Sequence, residues 1–282
     1  MTTFKNLLIA GVAGLAVAGS VSSVFGADIV DIPEPIIPEV VVAPSPVGGW
    51  YLRGDIGYSA PKFKGADYTT IDNCGTACGG ATNPTFGSNE LFGKLKGSFL
   101  LGGGVGYQVT DYFRTDLTVD YMTRSKFNGH TFGSACNGDM NCASTERGRM
   151  SALSILANAY VDLGNFNGFT PYVGAGIGGT RVKWGDLQDV TYNKTQQGTA
   201  DWRFTWALMA GASYDLTQSL KLDAGYRFRR IEGGEVFKGN AYLGNGTDKH
   251  MDIHDVRVGL RYQFGGYSAP TAYNDMTTPV YK

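Results

Sequence analysis

Eight segments of this chain alternate apolar and polar side chains with a period of two residues. Such alternation places successive side chains on opposite faces of a β-strand. The segments run to about 12–17 residues, which is longer than a usual globular strand and enough for a tilted membrane crossing of about 9–11. A soluble β-sandwich would alternate in the same way, but strands of this length favour a membrane barrel. The clearest alternation is in the segment 113–121. Its apolar face carries Phe113, Leu117, Val119 and Tyr121, and its polar face carries Arg114, Asp116, Thr118 and Asp120.

The connections between these segments alternate short and long. The short ones are 110–111, 164–168 and 217–218, and the long ones are 61–93, 125–146, 184–200 and 232–250. Bacterial outer-membrane barrels combine an even strand number with short periplasmic turns and longer outside loops. The chain is therefore predicted to be all-β: an eight-stranded antiparallel transmembrane β-barrel, an up-and-down meander with long extracellular loops. Hydrocarbon cannot satisfy an open sheet edge, so the sheet must close.

Composition agrees with short turns and strands rather than helices, because Gly is high at 41 residues and charged residues are low at 17%. Aromatic residues gather near the ends of the apolar face, as expected for girdles at the two water–lipid interfaces. The predicted girdle comprises Trp50, Tyr58, Tyr107, Phe113, Tyr121, Trp202, Phe204, Tyr226, Phe228, Tyr262 and Phe264.

The two ends of the chain differ from the alternating region. Lys5, an apolar run at 7–18 and small residues after it indicate a secretory signal peptide at 1–26, with an uncleaved anchor as the alternative. Residues 27–48 are rich in proline and are predicted to form a periplasmic linker. The barrel is predicted at 49–264 and a periplasmic C-terminal tail at 265–282. We expect an exported, integral outer-membrane protein.

The face opposite the apolar one carries charges of both signs, predicted to point into the lumen. Its members are Arg53, Asp55, Lys94, Lys96, Arg114, Asp116, Asp120, Asp162, Lys221, Asp223, Arg227, Arg229, Asp255, Arg257 and Arg261. An eight-stranded barrel is just wide enough for its side chains to fill it. An ion-paired plug is therefore the favoured interpretation, and a narrow, gated pore for small solutes is the alternative.

Other candidate sites carry weaker signals. Cys74, Cys78, Cys136 and Cys142 fall in predicted outside loops, where disulfides persist; local pairs are favoured, and cross-loop bridges remain open. A zinc site is disfavoured by the spacing. The run 174–179 matches G-x-G-x-x-G, but no helix follows it, so no cofactor is expected. His254 beside Asp255 is the only pair suggesting a catalytic triad, and adjacent strand residues face opposite sides, so no enzyme activity is expected.

Three runs carry a family resemblance: TPYVGAGIG at 170–178, LKLDAGYRFRR at 220–230 and DVRVGLRYQF at 255–264. They resemble strands of small porin-family outer-membrane proteins with an OmpA-like barrel, of the surface-antigen type. The resemblance implies an abundant surface protein inserted by the barrel-assembly machinery, which reads a C-terminal strand like the one ending in Tyr262 and Phe264. The tail at 265–282 departs from members that stop at that Phe.

The sequence thus predicts a non-enzymatic protein with structural and surface-interaction roles. Its expected partners are outer-membrane lipid and lipopolysaccharide, the assembly machinery, and a host or environmental ligand at the loops. A narrow porin-like channel and an adhesin or host-facing antigen are the alternatives. The net charge of −1 gives no reason to expect nucleic acid as a partner.

Overall fold

A computed structural model describes residues 49–72, 85–133, 142–191, 193–239 and 244–264. The predicted signal peptide, linker and tail lie outside these residues, as do Cys74, Cys78 and Cys136. Cys142 begins a strand, but its side chain also lies outside the description. No helix in the described part of the chain is long and apolar enough to cross a membrane.

The described residues form β-strands of two kinds, long ones and short ones. The long strands are β1 (Gly49–Phe63), β3 (Thr85–Leu95), β4 (Ser98–Gln108), β5 (Phe113–Gly133), β6 (Cys142–Asp162), β7 (Phe169–Trp184), β10 (Ala200–Asp215), β11 (Leu220–Glu232) and β14 (His250–Gln263). The short strands are β2 (Ala66–Asp72), β8 (Leu187–Asp189), β9 (Lys194–Gln196), β12 (Glu235–Phe237) and β13 (Gly246–Asp248).

Eight of these strands close into a ring of antiparallel pairs. The ring runs β1, β4, β5, β6, β7, β10, β11 and β14, and β14 pairs back onto β1, with Tyr51 opposite Gln263 and Phe63 opposite Met251. Each strand of the ring pairs with its neighbours in the chain order of these eight, as in an up-and-down meander. The predicted fold class and strand number agree with this ring.

The short turns are held by local hydrogen bonds. Between β6 and β7, Asn167 and Gly168 both adopt positive φ, at 56° and 88°, a conformation that Asn and Gly tolerate best. The Asn165 Oδ1 accepts a hydrogen bond from the Gly168 amide at 2.7 Å. These contacts reverse the chain within a few residues at the end of the barrel where the three short connections lie.

The alternation predicted for the ring strands is present in the structure. In β1, Leu52 and Ile56 are exposed on the outer wall, whereas Arg53 and Asp55 are buried in the lumen. The wall between the ends of the barrel is therefore apolar on the outside and polar on the inside, the arrangement of a barrel that spans lipid.

Much of the sequence predicted as long loops is folded into strands. Beyond the predicted barrel, β5 and β6 continue pairing as far as Gly133 opposite Cys142, and β3 pairs with the outer half of β5. Short strands β2, β8, β9, β12 and β13 add to the same rim. We call this part, at the end of the barrel away from the short turns, the outer extension.

Two of the fifteen lumen assignments, Lys94 and Lys96, are wrong. Lys94 and Lys96 point outward, and Leu95 is buried, because the strand is interrupted at Lys96–Gly97 between β3 and β4 and the alternation changes phase there. Lys221 is half-buried and pairs with Asp215, with 2.6 Å between Nζ and Oδ1, near the short-turn end of the barrel.

Candidate functional site

The lumen is filled by side chains. Six arginines and six aspartates are buried along it: Arg53, Arg114, Arg227, Arg229, Arg257 and Arg261, with Asp55, Asp116, Asp120, Asp162, Asp223 and Asp255. The structure thus buries twelve of the fifteen charged residues that the sequence predicts to face the lumen, and the other three are Lys94, Lys96 and Lys221. Equal numbers of opposite charges leave the lumen without a dominant sign of charge.

The upper layer of the network, toward the outer extension, joins β1, β5, β11 and β14. Arg227 lies 2.5 Å from Asp120 and 2.9 Å from Asp255, and Arg229 lies 2.8 Å from the same Asp255 oxygen. Asp255 also accepts a hydrogen bond from Ser59 at 2.6 Å. One carboxylate therefore neutralises two guanidinium groups and receives a hydroxyl, so that these charged groups are held by well-aligned partners.

The middle layer is centred on Arg53. Its guanidinium contacts Asp55 at 2.8 Å and Asp116 at 3.0 Å, and it donates to the Tyr160 hydroxyl at 3.2 Å. Asn158 donates to the other Asp116 oxygen at 2.7 Å. Polar groups from β1, β5 and β6 are tied together across the lumen.

The lower layer combines ion pairs with aromatic rings. Arg114 pairs with Asp162 at 3.0 Å, and its guanidinium lies 4.2 Å and 4.6 Å from the ring centroids of Tyr160 and Tyr172. The negative ring faces stabilise this cation, because its two terminal nitrogens have no hydrogen-bond acceptor among the residues that the structure describes.

Two arginines are less completely paired. The Arg261 Nε lies 3.3 Å from Asp223 but is too poorly aligned for a hydrogen bond, and its Nη2 donates to Ser213 at 3.0 Å. Arg257 contacts the Met209 sulfur at 3.7 Å and forms no ion pair with any carboxylate that the structure describes. The network is neutral overall, but its charges are not paired one to one.

An apolar cluster covers this network on the side of the outer extension. Phe63, Phe127 and Trp184 meet edge to face, with ring centroids 5.2, 5.4 and 5.7 Å apart. The cluster, which we call the outer cap, also includes Met150, Met251, Ile231, Ile253 and Leu187. The outer cap was not predicted from the sequence. A signal for it was present, because the apolar residues change from the outward to the inward phase at Leu95 and Phe127.

Charged groups of the outer extension are also buried. The Arg203 Nη1 lies 2.7 Å and 2.8 Å from the two Asp248 oxygens, yet burial outweighs this pairing and raises the pKa of Asp248. Burial likewise raises the pKa of Glu146, which accepts a hydrogen bond from Ser144, and brings the pKa of Tyr68 to about 12.

The predicted girdle residues lie on the outer wall, at its two ends. Trp50, Tyr107, Phe113, Tyr262 and Phe264 are exposed near the short turns. Tyr58, Tyr121, Trp202, Phe204 and Tyr226 are exposed toward the outer extension, where Phe228 is half-buried.

The structure does not assemble a catalytic or cofactor site from the residues considered for one. The His254 Nδ1 lies 2.6 Å from the Tyr226 hydroxyl on the outer wall, whereas Asp255 points into the lumen. The run 174–179 lies inside β7, between two paired strands. Among the described residues, no group of three His, Cys, Asp or Glu side chains is placed to hold a metal ion.

Comparisons with known proteins identify the family. The model of the outer membrane protein beta-barrel domain matches residues 41–264. An uncharacterized protein of Brucella suis biovar 1 is 37% identical over 281 residues, covering 88% of this chain and 96% of that protein. The outer membrane protein PagN of Salmonella typhimurium is 26% identical, covering 81% of this chain and 97% of PagN.

Two solved structures align with this chain at lower identity. Outer membrane protein OprG of Pseudomonas aeruginosa has a TM-score of 0.48 at 16% identity, covering 78% of this chain and 97% of OprG. Neisserial surface protein A has a TM-score of 0.39 at 18% identity, covering 77% of this chain and 97% of that protein. On the strength of the family model and the Brucella relative, this chain belongs to the outer membrane protein beta-barrel family and is a protein of the outer membrane.

Proposed function

We propose that this protein is a non-conducting, non-enzymatic component of the outer membrane that presents a folded β surface outside the cell. The observation that carries the proposal is the filled lumen: layers of paired arginine and aspartate side chains lie under the apolar outer cap. A solute could pass only if both the charged layers and the outer cap moved aside.

The ion pairs oppose such a movement. Arg227, Asp120 and Asp255 are fully buried and bonded to one another. Separating a buried pair leaves an uncompensated charge, at a cost of about 3–5 kcal/mol. This cost favours a closed lumen over the alternative of a narrow channel.

Planar-bilayer recording of refolded protein tests the proposal, with a large open porin in the same membrane as positive control. We expect no stable current steps from the refolded protein. Reproducible single-channel steps that scale with the number of inserted barrels would show that the protein is a channel.

The setting of the barrel is part of the same proposal. Short turns of such barrels face the periplasm, which places the outer extension outside the cell. We infer a signal peptide at 1–26, a periplasmic linker at 27–48 and a periplasmic tail at 265–282. The barrel would be inserted by the barrel-assembly machinery and surrounded in the outer leaflet by lipopolysaccharide.

Adhesion is a second candidate function, favoured by two exposed aromatic residues on the outer extension. Phe92 and Phe132 are 45% and 58% exposed, and their ring centroids lie 6.4 Å apart. Phe132 follows Tyr121 by about ten strand positions of roughly 3.4 Å each, well beyond the outer girdle. An exposed apolar pair in water is suited to contact with another surface, and a relative in Rickettsia conorii is named as a candidate adhesin.

Binding of intact cells to host-cell monolayers tests this second function. Phe92→Ser with Phe132→Ser should lower the bound fraction, whereas Thr195→Ala, at an exposed position of β9, should not. Equal binding by both variants and the parent protein would remove this aromatic pair as the contact.

A further inference from the structure

A groove on the outer wall has an unusual concentration of positive charge. It is formed by β5, β6 and the end of β7 and has a volume of about 860 Å³. Six cations line it: Lys96, Arg124, Lys126, Arg147, Arg149 and Lys183. We call it the cationic groove. It is separate from the lumen, because all six side chains are exposed and point away from the barrel axis.

A β-bulge in β5 directs the cations outward. The pairing of β5 with β6 shifts between Met122 and Ser125, so that one extra residue enters the strand. Beyond it, Arg124 and Lys126 take the outward phase, and Phe127 turns into the outer cap. The same irregularity thus builds the cap on one side of the wall and the groove on the other.

The cations are brought close together without counterions. Lys126 lies directly opposite Arg149 on β6, and the Lys96 amide donates to the Lys126 carbonyl at 2.9 Å, which puts three cations in one row. Directly opposed like charges destabilise a sheet. The one carboxylate at the groove, Asp186, accepts a hydrogen bond from the Gly198 amide at 3.2 Å. Within the described ranges, none of the six cations forms an ion pair.

The groove lies at the depth of the outer-leaflet headgroups. Tyr121, a residue of the outer girdle, forms its lower edge. Lys126 follows five residues later, which places its backbone roughly 10 Å beyond the girdle for strands tilted by about 40°. A surface at this depth that still faces sideways meets lipid headgroups before it meets soluble partners.

We propose that the cationic groove binds the phosphorylated sugar headgroup of an outer-leaflet glycolipid, the lipid A part of lipopolysaccharide. Lys96, Lys126 and Arg149 bind one phosphate, and Lys183 and Arg147 contact the rest of the headgroup. The anion relieves the repulsion within the row and supplies the counterion that the protein lacks. This inference rests on the outer-leaflet setting in the proposed function and goes beyond it by naming the site and the group bound.

Binding of bis-phosphorylated lipid A to refolded protein in a neutral detergent, measured by native mass spectrometry, tests the assignment. Lys126→Gln with Arg149→Gln should weaken binding at least tenfold. The control, Lys238→Gln with Lys249→Gln, removes the same charge from exposed positions elsewhere on the outer extension and should bind as the parent does. All variants must keep the shift in gel mobility on heating that a closed barrel shows.

Three further arms identify the ligand. Dephosphorylated lipid A should bind at least tenfold more weakly to the parent, and inorganic phosphate at millimolar concentration should not displace lipid A. Equal binding of the dephosphorylated lipid, or equal loss in the two double variants, would overturn the proposal. Displacement by inorganic phosphate would make the groove a site for free anions. In the third arm, heparin replaces lipid A as the ligand. If the Lys126→Gln/Arg149→Gln variant loses heparin binding and keeps lipid A binding, the groove is a site for a sulfated glycan instead. None of these outcomes bears on conductance, so the closed lumen is tested independently.

Discussion

Single residues in the lumen differ in how much they stabilise the barrel, because they differ in burial and in the charged partners they hold. Asp255 is buried and bonded to Arg227 and Arg229 on β11 and to Ser59 on β1. Asp215 forms an ion pair with Lys221 and accepts a hydrogen bond from the exposed Asn165, and both charged side chains of the ion pair are partly exposed. Solvent screens the Asp215–Lys221 pair but not the ion pairs of Asp255. The same kind of interaction therefore contributes less to the free energy of unfolding at Asp215 than at Asp255.

We therefore expect Asp255→Asn to lower the free energy of unfolding by about 3–5 kcal/mol, because two buried guanidinium groups lose their shared counterion. Asp215→Asn, the same chemical change at a half-exposed pair, should cost less than about 1 kcal/mol. Urea unfolding of refolded protein, followed by tryptophan fluorescence, measures both values. Similar midpoints for the two variants would show that the buried cluster contributes no more than the exposed pair.

Removing the carboxylate charge at Glu146 should stabilise the protein, whereas removing it at Asp255 should destabilise it. Burial raises the pKa of Glu146 in the folded state, with Ser144 hydrogen-bonded to it. A carboxyl group with a raised pKa contributes stability that is fully present below its unfolded pKa and is lost as the pH rises through its folded pKa. Ionised Glu146 therefore destabilises the outer extension at neutral pH.

Glu146→Gln keeps the acceptor oxygen and removes the charge. Relative to the parent, this variant should gain thermal stability as the pH is raised from 4 to 7, and the Ser144→Ala variant should not reproduce that trend. Thermal unfolding at a series of pH values provides the measurement. A constant difference between parent and variant across the series would contradict the raised pKa.

At the scale of elements, strand β5 shows what the sequence could predict and what it could not. Its inner half alternates apolar side chains toward lipid, and this pattern predicted the strand, its phase and the buried position of Asp120. Beyond the bulge the wall leaves the hydrocarbon core, so the apolar residue Phe127 points inward and, except at Phe132, polar residues point out. The pattern expected of a lipid-facing strand is absent there, and the segment was predicted as a loop.

A pair of substitutions on β5 tests where the membrane ends. Leu117 is exposed on the outer wall midway between Phe113 and Tyr121, so Leu117→Arg should cost about 2–4 kcal/mol near the bilayer midplane. His130→Arg, exposed on the same strand in the outer extension, should cost close to nothing because its environment is water. Unfolding in lipid vesicles measures both changes, and Leu117→Phe controls for size. Equal costs for the two arginines would place the lipid boundary elsewhere.

At the scale of the whole molecule, the strand number could be predicted from the alternation of short and long connections. Closure of the ring could be predicted because a membrane does not tolerate unpaired sheet edges. The contents of the lumen could be predicted only in part. Alternation predicted which charges point inward, but it could not show that Asp255 joins two arginines or that Arg257 lacks a carboxylate partner. Those pairings depend on the stagger between strands, which a period of two does not specify.

The filled lumen contains two barriers in series, the charged layers and the outer cap, and each should close it alone. Phe127→Ala with Trp184→Ala removes the largest rings of the cap, and Arg227→Ala with Asp120→Ala removes a bonded pair from the upper charged layer. We expect no current steps in planar bilayers from either double variant or from the four substitutions combined, because the middle and lower charged layers stay in place. Truncating each ring costs about 3–5 kcal/mol, so gel mobility before and after heating must first show a closed barrel; Phe127→Leu with Trp184→Leu replaces the cap variant where it does not fold. Steps from the charged-layer variant alone would mean that the cap is permeable, and steps from the cap variant alone would mean that the ion-paired layers do not seal the barrel.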